Sequence, residues 1–107
     1  MLIVTTSDVA GYEIEETIGQ VFGVTVRSRG MFGTLAAGLK SILGGEITQF
    51  TTMLEDARKH AIDRMVQNAQ KMGADAIVMM RFDSGEVGDT MQEVVAYGTA
   101  VRLKSRA

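Results

Sequence analysis

The residues best placed by type and spacing to do chemistry are His60, the chain's one histidine, and Asp56, four positions before it. On a helix, side chains four apart stand on one side, which is a spacing that two metal ligands can use. Arg64 follows four residues later, and its charge disfavours a second cation between them. Cysteine is absent, so thiolate metal sites, disulfides and cysteine nucleophiles drop out together. One imidazole with scattered carboxylates makes a thin site in a single chain, although a ring of identical subunits would multiply it. His60 and Asp56 are therefore the candidate metal ligands, set against a plain reading in which both sit on the shoulder of a surface helix. No residue stands out as catalytic or cofactor-binding.

Other constellations carry less. Glu13, Glu15 and Glu16 form one acidic cluster, and Asp83, Glu86 and Asp89 another. Neither follows the spacing of a calcium loop, and carboxylates do acid–base work only where burial drives their pKa values apart. Gly33, Gly38, Lys40 and Ser41 come within one residue of a phosphate-binding loop. The inserted Leu39 would turn the lysine by about 100° on a helix, away from a phosphate. Serines and threonines are numerous, but no G-x-S-x-G elbow accompanies them. Arg102, Lys104 and Arg106 alternate, as do Arg27 and Arg29, which suits either edge protection or an anion site.

These residues sit in a chain of 107 with 11 basic and 13 acidic side chains and a net charge of -2. That balance does not suit a nucleic-acid surface, which usually carries an excess of Lys and Arg. No apolar run approaches the roughly 20 residues that span a bilayer, and no leader is evident, so the expectation is a single cytoplasmic domain over 1–107. Proline is missing while glycine numbers 12, so glycines punctuate the elements. The eight methionines suit gap-filling in the core.

The elements that must position the candidates follow from periodicity. "MLIVTT" reads as a short strand, and "YEIEETIGQVFGVTVR" as one long strand bent at Gly19 and Gly23, with Ile14, Glu16 and Ile18 on one face. Phe32, Leu35, Leu39 and Ile42 recur at helical spacing, and Gly44-Gly45 closes that run. A second helix carries Phe50, Leu54, Ala57, Ala61, Met65, Ala69 and Met72, with Thr48 as N-cap and Gly73 as its stop. "ADAIVMMRFD", the loop "SGEVGDT" and "QEVVAYGTAVRLK" form a hairpin. The return strand is apolar on both faces, and such a strand needs cover on both. Two helices can cover one face; a second copy of the chain would cover the other. The expected fold is α+β, a mostly antiparallel sheet with two helices on one face in the order β-β-α-α-β-β.

"GGE" before a helix containing "TTMLEDARKHAIDRM", followed by "GADAIVMMRFD" and "EVVAYGTAVRL", resembles the YbjQ family, as do "TTSDVAGYEI" and "GQVFGVTV" nearer the start. The resemblance covers nearly the whole chain. It implies a bacterial or archaeal protein with a fold similar to dodecin subunits, assembled as a pentameric ring. It also implies a heavy-metal ligand by the family's label; the residues themselves name no cofactor. The functional expectation is a homo-oligomer, a pentamer or stacked pentamers, that binds a small ligand or metal ion between subunits. The alternative is an enzyme whose site is completed between chains from Glu, Asp, Arg and His60.

Overall fold

The computed structural model describes residues 1–28, 48–88 and 91–106. Its elements are β1 (Leu2–Ile3), β2 (Tyr12–Ser28), α1 (Thr48–Lys71), β3 (Ala76–Val87) and β4 (Met91–Ser105). The four strands form one sheet in the order β1-β3-β4-β2. β2 and β3 flank β4 antiparallel, while β1 runs parallel to β3 with Leu2 opposite Ala76 and Ile3 opposite Ile77.

This corrects the expected architecture in two respects. The sheet is mixed, because the chain from β1 reaches β3 only after crossing over through β2 and α1, so the two strands enter the sheet in the same direction. The described residues also carry one helix, giving β-β-α-β-β rather than β-β-α-α-β-β. At 1.5 Å per residue the 24 residues of α1 span about 36 Å, enough for one helix to run along most of the sheet. The helix expected around Phe32 to Ile42, and the near-match to a phosphate loop within it, lie outside the described residues.

α1 packs by close approach. Ala57, Ala61, Met65 and Ala69, four residues apart, are all fully buried. Ala61, Met65 and Ala69 meet Val21, Ala96, Ala100 and Ile77 from the sheet. Gly23 lies directly beneath the helix, where a Cβ would collide with the backbone of Ala61 and Met65. The helix ends in a paired motif: Ala74 N–H donates to the Ala69 carbonyl and Gly73 N–H to the Gln70 carbonyl, with Gly73 at φ +80°. This is the glycine stop the sequence signalled, and it satisfies carbonyls that the helix end would otherwise leave open.

The hairpin is longer than the sequence suggested. Ser84 to Val87 belong to β3, and pairing continues to Val87 opposite Met91, so most of the expected loop is strand. In β2, register shifts between Ile14 and Glu16 and between Thr17 and Gly19 break the alternation. Ile14 therefore packs on the face away from the helix and Ile18 on the helix face, not together as the unbroken pattern implied.

Among the described residues, the face away from α1 is covered over one half only. Val9, from the segment between β1 and β2, packs there with Ala76, Val78 and Val101, joined by Val4, Ile14 and Leu103. Arg81 anchors that segment by donating to the Thr5 carbonyl at 3.0 Å. Over the other half, Phe22 remains 53% exposed, Val26 46%, Tyr97 43%, Met91 41% and Val87 36%.

Candidate functional site

His60 and Asp56 lie on the exposed side of α1, where the helical spacing brings them to one side as expected. The partner that His60 finds is a cation: Arg27, from the end of β2, places its guanidinium nitrogen against His60 Nδ1. A guanidinium has no acceptor, so the ring nitrogen must supply the lone pair of this contact. That use of Nδ1, with the Arg27 guanidinium against the ring, is hostile to a metal cation. Among the described residues no three His, Asp or Glu side chains converge in a way that could hold a metal ion.

The two acidic clusters stay on the surface. Glu16 reaches Arg102 at 3.9 Å with both side chains more than half exposed, a pair that contributes little to stability. Glu13 lies opposite Lys104 across β2 and β4. Asp83 accepts a hydrogen bond from the Ser84 N–H at 2.8 Å and Glu86 is exposed, while Asp89 and Arg29 fall outside the described residues. Arg102, Lys104 and Arg106 are all exposed, and the groups beside the first two are the carboxylates Glu16 and Glu13 just described.

One concave feature is a cleft of 430 Å³ between the first turns of α1 and the outer part of the hairpin. Leu54, Phe82 and Val94 give it an apolar floor, and Arg58, Glu55 and Gln92 give it polar groups of both signs. The Arg58 guanidinium lies over the Phe82 ring, 5.0 Å from its centroid. Such stacking holds the planar group in place while leaving its N–H edges open to a ligand. The volume lies within the range of small-molecule sites. Sequence reasoning missed this pairing because 24 positions separate the two residues. The available signal was the helical spacing of Leu54 and Arg58 beside an aromatic residue on a strand that α1 must cover.

A second cluster that the sequence did not signal lies along β2. Arg64 donates to the Val24 carbonyl and Asn68 to the Phe22 carbonyl, so helix side chains hydrogen-bond the strand's backbone. Thr25, buried at the same seam, has no hydrogen-bond partner for its hydroxyl among the described residues.

Comparison with known proteins adds the following. The model of the YbjQ family, described as "Putative heavy-metal-binding", matches residues 1–104. A UPF0145 protein of Bradyrhizobium sp. (strain ORS 278) is 62% identical over 104 residues, covering 97% of this chain and 94% of the relative. A UPF0145 protein of Enterococcus faecalis (strain ATCC 700802 / V583) is 58% identical over 102 residues, covering 95% and 98%. The crystal structure of a DUF74-family protein of unknown function from Pediococcus pentosaceus ATCC 25745 superposes with a TM-score of 0.62 at 19% identity, over 97% of this chain and 98% of that one. At that identity the likeness speaks for the fold alone. The chain has no thiolate to offer, and its one imidazole faces a guanidinium.

Proposed function

This chain belongs to the YbjQ family, and we propose that it works as a homo-oligomeric binding protein, a ring of five copies that takes a small ligand. The observation that carries the reading is the uncovered half of the sheet. Phe22, Val26, Tyr97, Met91 and Val87 lie on one face of three adjacent strands. With strands about 4.8 Å apart and a rise of about 3.3 Å per residue, this half covers roughly 350 Å². Its exposed apolar centre is rimmed by charged residues, an arrangement that marks contact sites.

The occupant best suited to the face is a second copy of the chain. Arg81, Asp83 and Glu93 occupy the same face as Tyr97 by register, so it carries charges of both signs around an apolar centre. A surface of that kind can complement itself. A strongly acidic or basic partner would find no matching field. The cleft beside Arg58 and Phe82 is the proposed ligand space, and its mixed polar groups suit a small ligand with both an apolar body and a hydrogen-bonding edge.

The enzyme alternative needs His60 to meet carboxylates from a neighbouring chain. The contact with Arg27 gives that reading no support. The test is substitution on the face. Tyr97→Asp and Phe22→Asp should reduce the mass in light scattering toward that of one chain while far-ultraviolet circular dichroism keeps its helical signal. Unchanged mass in both variants would overturn the assignment of this face. Native mass spectrometry of the purified protein would identify a retained ligand, and an Arg58→Ala variant should lose it.

A further inference from the structure

β2 is an edge strand 17 residues long, with β4 along one side and, among the described residues, no strand along the other. Such an edge presents backbone N–H and C=O groups that template pairing with another chain. Its middle is well suited to that fate. Residues 20–26, "QVFGVTV", hold no charge and no proline, four of the seven are Val or Thr, and Phe22 and Val26 stand exposed. Short uncharged segments rich in β-branched residues are the ones that stack into intermolecular sheets.

The helix covers the backbone at this stretch. Arg64 donates to the Val24 carbonyl at 2.6 Å and Asn68 to the Phe22 carbonyl at 2.8 Å. Residues two apart in a strand direct their backbone groups to the same edge, so both donors serve one side of β2. That side is the outer one, because β4 holds the inner. The two donors stand four apart on α1, one turn of helix against two residues of strand, a match of about 6 Å to about 6.6 Å.

We propose that Arg64 and Asn68 form a latch that closes the outer edge of β2, and that residues 20–26 are a latent strand-pairing site whose partner is the same segment of a second copy. With the latch in place, the outward carbonyls of Phe22 and Val24 are already engaged, and an incoming strand would have to displace a guanidinium and an amide. Without it, two acceptors open in a segment with no charge of its own to repel an identical strand. This inference stands apart from the proposed ring. The ring concerns the face of the sheet, the latch its edge.

The test uses the full chain and the double variant Arg64→Ala/Asn68→Ala, compared by light scattering, thioflavin fluorescence and amide hydrogen exchange. The wild type should keep one mass across micromolar concentrations with no thioflavin signal. The double variant should add species of higher mass as concentration rises and develop thioflavin fluorescence, and exchange at Phe22 and Val24 should slow by at least about tenfold. The wild-type mass distribution with unchanged exchange in the double variant would overturn the latch. Arg64→Lys/Asn68→Gln retains both donors and should behave as wild type; aggregation of that variant would count against the proposal. Should the double variant lose its helical signal, Asn68→Ala alone opens one carbonyl and is read in the same way. The wild-type mass reports on the ring, whereas the latch is judged only by the difference between variant and wild type.

Discussion

Gly23→Ala is the substitution that tests the packing account most sharply. The added methyl would point at the backbone of α1, at Ala61 and Met65, with no flexible side chain between. Backbone atoms cannot rotate aside, so the helix would have to lift by about 1 Å to restore ordinary separations of roughly 3.5–4 Å. Lifting it opens the seam along Ala57, Ala61, Met65 and Ala69, all fully buried. Overpacking of this kind costs about 1–3 kcal/mol, and the length of the seam places the expectation at the upper end. At roughly 4–8 °C per kcal/mol for a domain of this size, the melting temperature should fall by about 10 °C or more. Gly85→Ala is the matched control, because a Cβ there meets nothing within 4 Å and its backbone needs no left-handed conformation. It should melt within about 2 °C of wild type. Calorimetric melts of the two variants, made at one protein concentration, decide the matter. A Gly23→Ala melt as high as that of Gly85→Ala would refute the close approach of helix and sheet.

Two further substitutions probe separate parts of the account. Gly73→Ala places a side chain at φ +80°, where the terminal helix motif needs a left-handed residue, and should cost about 1 kcal/mol in denaturant unfolding. His60→Ala should leave calorimetric titrations with zinc superimposable on those of the wild type. The contact of His60 with Arg27 leaves the ring poorly placed as a ligand, and a loss of binding in the variant would restore it as one.

How far the sequence discloses this molecule depends on how local each feature is. α1 was legible because its alanines recur every four residues and a glycine ends the run, both of which are properties of adjacent turns. The hairpin was legible in kind but not in extent, since Ser84 to Val87 look like turn residues until Val94, Glu93, Gln92 and Met91 pair with them. The faces of β2 were misread because two register shifts within a few residues cancel the simple alternation. Gly23 was read as a bend. Its actual constraint comes from a helix nearly 40 positions away, although the run of small residues at Ala57, Ala61, Ala96, Gly98 and Ala100 was a signal that two surfaces meet closely. The parallel pairing of β1 with β3 depends on the path of the whole chain, which no local pattern encodes. Of the candidate site, Asp56 and His60 were placed on one helix face correctly. Arg27 beside His60, Arg58 over Phe82, and Arg64 and Asn68 on β2 are tertiary contacts, invisible to spacing arguments. No helix among the described residues is long and apolar enough to cross a membrane.

The account turns on the uncovered half of the sheet being sheltered by copies of the same chain. Native mass spectrometry of the wild-type protein, sprayed from micromolar solution, measures this directly. The account predicts a closed assembly whose mass is a whole multiple of the 11.5 kDa chain, with five copies the expected number. A spectrum holding only single chains of 11.5 kDa would contradict it.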